Sequence, residues 1–314
     1  MDSSIGIDHR KLRINGGIRF MATRLTRILR IEHTPALLGM LLGLSLAAGG
    51  RADAASYIVE ARSTQQAAAA VRRLGGHVTH ELPIIDGVSA ELSGPQAERL
   101  RHEPGLVVVA DGRVLTSSTT TTTTAPPCAT ICSIGLSSTN PDVYQRNMLG
   151  VNTLASQGIN GAGVTVAVLD SGILQALYPT FLTKDLNGNN RMVAQYDAIK
   201  NVLVDAAHPC LWYPCVNDDY GHGSHITSLI ASSNTQDLVL KGEPQGIAPM
   251  VHLVSVKAFD GTGTGTYASV LNGLNWILAN RTTYGNIRVV NMSFGARPQS
   301  FYWNDPIDQA VMKL

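Results

Sequence analysis

Six consecutive residues, Val164 to Leu169, are apolar or β-branched, and the run ends abruptly at Asp170-Ser171-Gly172. A segment this uniformly apolar suits a strand covered on both faces, as in the parallel sheet of an α/β protein. It therefore asks for a layer of packing on each side. Its end is equally informative, because open α/β sheets place their chemistry at the carboxyl ends of their strands. Gly172 lets the chain turn sharply there. A strand-end aspartate alone serves equally well as a helix cap or turn residue.

A second stretch sharpens the reading. Asp219-Tyr220-Gly221-His222-Gly223-Ser224-His225-Ile226 follows, with His222 52 positions beyond Asp170. Asp-Ser-Gly closing an apolar strand, then Gly-His-Gly-Ser-His opening a helix, resemble the aspartate and histidine motifs of the subtilisin-like serine proteases. That family runs Asp, His, Ser along the chain. The resemblance extends from Tyr57 to Leu314. It implies an α/β, parallel-sheet, three-layer peptidase domain, of which the N-terminal portion is present, preceded by a ferredoxin-like α+β propeptide.

Peptide hydrolysis by serine needs a hydroxyl, a base to take its proton and a carboxylate to orient the base. The resemblance assigns His222 as the base and Asp170 as its orienter, with Gly221 and Gly223 leaving room for substrate beside the ring. Gly263, Thr264 and Gly265 match the family's glycine-rich edge, where an extended peptide adds as a strand. Ser293, Phe294 and Gly295 match the wall of the pocket for the residue before the cut. His225 is read as a structural histidine. Ser293 is rejected as a nucleophile, since Asn291 stands where a nucleophile elbow needs glycine. The family's Gly-Thr-Ser-like serine motif and its Ala-Gly-Asn-like oxyanion motif do not occur in the 314 residues. The expectation is that they are an N-terminal part of a longer precursor and inert alone. In that part, Ile287–Met292 would leave an apolar sheet edge uncovered.

Residues 1–20 show no periodicity and are read as a possible non-native upstream extension. Met21 opens a better start: Arg24, Arg27 and Arg30 precede an apolar run from Ala36 to Ala48, and Ala52-Asp53-Ala54 offers small residues for signal peptidase. Residues 21–54 thus read as a secretory signal peptide, too short in its apolar part to span a membrane. Residues 55–115 give the order βαββαβ, which the resemblance makes an inhibitory propeptide. Residues 116–138, with six threonines from Thr119 to Thr124, read as a solvated linker. The maturation cut is expected between Leu115 and Tyr144. Residues 139–314 form the peptidase part, beginning with one helix over 141–158.

Composition excludes some partners. The net charge is +1 and only 15% of residues are charged, so nothing points to nucleic acid or an anionic membrane. The partners implied are protein or peptide substrates and the chain's own propeptide. Cys128, Cys132, Cys210 and Cys215 have spacings compatible with zinc, but a secretory start favours disulfides. Local pairs 128–132 and 210–215 are preferred among three connectivities. No cofactor is expected, with calcium left open but not assignable to a site. Asp185–Asn189 faintly resembles a calcium loop but lacks the glycine at its sixth position and the glutamate at its twelfth, which is Tyr196. Two further function classes stay open: a non-catalytic propeptide-type protease inhibitor or folding chaperone, and a degenerate peptide-binding protease homologue.

Overall fold

The computed structural model describes residues 54–117, 141–174, 180–204, 218–235 and 244–314. Residues 1–53, the four cysteines with their expected pairings, and the threonine run lie outside the described residues.

The N-terminal unit begins with β1 (Ala54–Glu60), α1 (Thr64–Arg73), β2 (His77–Leu82) and β3 (Gly87–Ser93). It continues with α2 (Gly94–Arg101) and β4 (Val107–Ala110). Local chemistry sets these boundaries. Ser63 caps α1 by accepting the Gln66 N–H, and Ser93 with Gln96 forms a capping box on α2. The strands pair in the order β2-β3-β1-β4 with every neighbour antiparallel. Each βαβ half is therefore split by a strand of the other half. One face of this sheet, with Val59, Ala90 and Leu92, packs on Ala67, Val71, Ala97 and Leu100 of its own helices.

The remaining chain forms α3 (Pro141–Met148), α4 (Val151–Ser156), β6 (Thr165–Asp170), β7 (Met192–Asp197) and β8 (Val202–Val204). After these come α5 (His222–Ala231), β9 (His252–Lys257), α6 (Tyr267–Asn280), β11 (Ile287–Asn291) and α7 (Pro306–Lys313). Five strands make one sheet in the order β11-β6-β9-β7-β8. Its first four strands are parallel and β8 is antiparallel to β7. Every residue of β6 is buried, as its composition demands. Val166, Val168 and Leu253 face a cluster that includes Ile226 and Ala231 of α5. Ala167, Leu169 and Val256 face a second cluster with Leu271 and Leu274 of α6. The result is three layers. Among the described residues β11 is an outer strand, and its Val289 is half exposed.

One expected element breaks. The helix over 141–158 is interrupted at Gly150, whose φ of 66° is left-handed, so α3 and α4 are separate.

The other face of the N-terminal sheet is covered by the α/β part. Ile58, Leu82, Ile84 and Ile85 join the same buried cluster as Ala268 and Leu271 of α6 and Ala310 of α7. Polar contacts fix the docking. Ile84 N–H donates to Asn275 Oδ1 at 3.1 Å, and Lys313 Nζ lies 3.1 Å from Asp86 Oδ2. The first turn of α6 carries orphan N–H donors. Tyr267 N–H donates to Gly112 O, and Ala268 N–H to the Asp111 carboxylate at 2.8 Å. The N-terminal unit thus completes the cap that Thr266 starts.

Candidate active site

Asp170 is the last residue of β6, and its paired neighbour on β9 is Lys257. His222 is the first residue of α5. Asp170 is fully buried and the His222 side chain is about one-tenth exposed. His222 Nδ1 lies 2.8 Å from Asp170 Oδ1 and 3.0 Å from Oδ2. An ionised carboxylate only accepts, so Nδ1 carries the shared proton and Nε2 is left as the basic nitrogen. Burial raises the Asp170 pKa above the usual carboxylate value; hydrogen bonds from His222 and from the Ser171 N–H oppose that rise.

The helix start is built around a residue that motif reading passed over. Asp218 Oδ1 accepts from the Tyr220 and Gly221 N–H groups and the Ser171 hydroxyl, and Oδ2 from the Ser224 N–H and hydroxyl. Ser171 Oγ in turn accepts the Gly223 N–H. Orphan donors of α5 are therefore satisfied, with a carboxylate at the positive end of the helix. Burial disfavours the Asp218 charge, but the hydrogen bonds from Ser224, Gly221 and Ser171 outweigh it and hold the pKa below its ordinary value. Lys257 Nζ bonds Ser171 O at 2.7 Å and sits 3.2 Å from Asp219 Oδ2. An acid four residues before a helical histidine was the available signal, since it can reach back over a first turn.

The two glycines also have backbone roles. A side chain on Gly223 would place its Cβ 2.1 Å from Gly172 O, so its smallness lets α5 meet the Asp-Ser-Gly turn. Gly221 is needed for its φ of 99°.

The other predicted residues come together in a separate small sheet. β5 (Arg113–Thr116), β10 (Thr264–Thr266) and β12 (Phe294–Ala296) form it in the order β10-β5-β12, with β5 antiparallel to both neighbours. Thr264 and Gly265 pair with Leu115 and Val114, and Gly263 O accepts the Thr116 N–H. Phe294 and Gly295 pair with Thr116 and Leu115, and Ser293 O accepts the Ser117 N–H. The edge and the wall therefore flank one extended segment of the same chain. Thr116, expected to open a solvated linker, is instead a buried strand residue. Phe294 stacks obliquely on Phe259, with centroids 5.2 Å apart.

Two further residues of interest have the following local geometry. His225, read as a structural histidine, is exposed on α5. Asp185 Oδ1 accepts the N–H groups of Asn187 and Asn189, the pattern of an ordinary Asx turn. Among the described residues no three His, Cys, Asp or Glu side chains cluster to hold a metal. Among the same residues no helix is long and apolar enough to cross a membrane.

The arrangement is a buried carboxylate–imidazole pair beside a cleft that binds extended backbone. Residues 161–313 match the subtilase family. Subtilisin E of Bacillus subtilis is 27% identical over 271 residues, covering 84% of this chain and 58% of that protein. A subtilisin of Bacillus pumilus is 32% identical over 168 residues, covering 54% of this chain and 50% of that protein. The chain thus spans little more than half the length of the curated relatives it matches. In structure it resembles fervidolysin from Fervidobacterium pennivorans, described as a keratinolytic enzyme related to subtilisin. The TM-score is 0.54 and the identity 19%, over 84% of this chain and 38% of that one.

Proposed function

We propose that this chain, whose residues 161–313 match the subtilase family, belongs to the zymogen of a secreted serine endopeptidase and carries its inhibitory propeptide in place. The single observation that carries this reading is Asp170 and His222 in hydrogen-bond contact, 2.8 Å apart, at the rim of a shared sheet. Asp170 holds the Nδ1 proton and the ring orientation. His222 Nε2 then takes a proton from a seryl hydroxyl and returns it to the leaving amine. Substrate backbone binds between residues 263–266 and 293–296 by strand addition. Residues 55–117 act as the propeptide, and residues 21–54 direct secretion. A relative named minor extracellular protease Epr, 27% identical over 174 residues, supports an extracellular destination.

The 314 residues contain no seryl nucleophile motif. As they stand they form an assembled, inactive complex of propeptide and groove. Phenylmethylsulfonyl-sensitive peptide cleavage by this chain alone would contradict that statement.

The role of the pair is tested in the complete open reading frame of the gene. Asp170→Asn should slow propeptide removal by about 10⁴, and His222→Ala by about 10⁶, both read by mass spectrometry of the product over time. Normal maturation of either variant would remove the assignment.

A further inference from the structure

We infer that the bond cut in maturation is the one that follows Ser117, and that the cleft selects β-branched side chains one and three residues before Ser117. The inference rests on the protease reading above and makes it specific.

The register supplies the argument. β11 runs parallel to β6, with Asn291 opposite Val168. Ser293 and Asp170 each stand two residues beyond that pair, at or just past the carboxyl ends of neighbouring strands. Ser293 O accepts the Ser117 N–H at 3.1 Å. That bond lies one step beyond the last paired residue of β5 and ties Ser117 to the segment that leaves the carboxyl end of β11. Thr116 approaches the rim of Asp170 and His222. Its N–H donates to Gly263 O. Its Oγ1 and the ring of Tyr220, two residues before His222, would both crowd a Cβ on Gly263. Ser117 is thus the tail residue whose carbonyl the pair can serve.

Burial along the tail alternates as a strand requires. Val114 and Thr116 are buried, while Arg113, Leu115 and Ser117 are exposed. Val114 is fully enclosed in the cluster that holds Phe259, Tyr267 and Phe294. Thr116 fills the space that the missing side chain of Gly263 leaves beneath Tyr220. The cleft therefore reads positions 114 and 116 by shape and leaves 115 unread. Substrates of the class Val-x-Thr-Ser, extended and uncharged at the two inward positions, fit it.

The step is a hydrolysis. The C–N bond between the Ser117 carbonyl carbon and the next nitrogen breaks, with a seryl hydroxyl of the peptidase as transient acyl acceptor. Water then supplies OH to the Ser117 carbonyl and hydrogen to the regenerated seryl oxygen. The amine leaves with the proton that His222 delivers, and nothing is oxidised or reduced.

The test expresses the complete open reading frame and maps both new termini by mass spectrometry. A propeptide ending at Ser117 and a product beginning at Ser118 are expected. Synthetic peptides carrying Arg-Val-Leu-Thr-Ser before a chromogenic amide avoid any folding defect. Leu→Arg in the peptide should change kcat/KM by no more than about twofold, and Val→Asp should lower it by about tenfold or more, because the charge would be buried unpaired. Cleavage elsewhere by an active enzyme, or equal tolerance of the Leu→Arg and Val→Asp changes, would overturn the assignment and leave the protease reading intact. A purified product that cuts neither these peptides nor casein would overturn the protease reading itself.

Discussion

The rim that holds Asp170 and His222 and the cleft that holds Arg113–Ser117 are neighbours, yet different interactions build them. At the rim, side chains bond backbone: Asp218 alone accepts five hydrogen bonds, and Ser171 links it to Gly223. In the cleft, backbone bonds backbone, and only Val114 and Thr116 bury side chains. The first kind of assembly depends on residue identity and fixes a geometry for chemistry. The second accepts many sequences, as a groove for peptides must, and gains selectivity at two inward positions.

The comparison can be broken by variants that touch one region and spare the other. The largest stability effect is expected where the N-terminal sheet docks. Glu60 is buried there with Oε1 lacking a partner. Burial pushes its pKa up from 4.5 to about 7, with Asp305 and Asp86 adding to the rise and Lys313 and the Gln309 hydrogen bond opposing it. The folded state therefore holds a proton that the unfolded state has lost. Stability is full below about pH 4.5, falls as pH rises towards 7 and then levels off, by on the order of 3 kcal/mol in all. Glu60→Gln should remove that component, read as the difference from the native chain in urea midpoints at pH 4.5 and 8. An unchanged difference would mean that Glu60 ionises freely in the folded protein.

Gly223→Ala attacks the rim. The added Cβ meets the Gly172 backbone oxygen, so α5 must back away, at a cost of about 1–3 kcal/mol. His222 should leave Asp170 while the tail stays paired, which an NMR spectrum of the imidazole Nδ1 proton would report. Loss of tail pairing together with that signal would show that rim and cleft are one unit. Asp111→Ala is the mildest. It removes the acceptor for the Ala268 N–H at the start of α6 and should cost about 1 kcal/mol. It should loosen the tail and leave the Nδ1 proton signal in place.

Legibility in the sequence divides along the same line. The β6 strand and the capped helices of the N-terminal unit follow from residue type and spacing within a few residues, whereas Asp170 and His222 were singled out by the resemblance of their motifs to a family. The broken helix at Gly150 and the close approach at Gly223 need coordinates, because a glycine does not declare whether space, φ or a neighbour requires it. β5 left no trace at all. Arg113–Thr116 is short, its partners lie about 150 to 180 residues away, and backbone pairing has no signature in residue type. Thr116 was thus indistinguishable from the threonines that follow it. Asp218 fell between: four of its five donors are local, on Tyr220, Gly221 and Ser224, but the Ser171 hydroxyl reaches it only through the fold.

Amide hydrogen exchange along residues 113–117 of the intact chain tests the central claim most directly. The Thr116 and Ser117 N–H groups donate to Gly263 and Ser293, so both should exchange far more slowly than unstructured amides, and Gly263→Ala, which crowds Thr116 and Tyr220, should release them. Exchange of both amides at unstructured rates in the native chain would mean that the cleft is empty and that the segment does not lie in it as substrate.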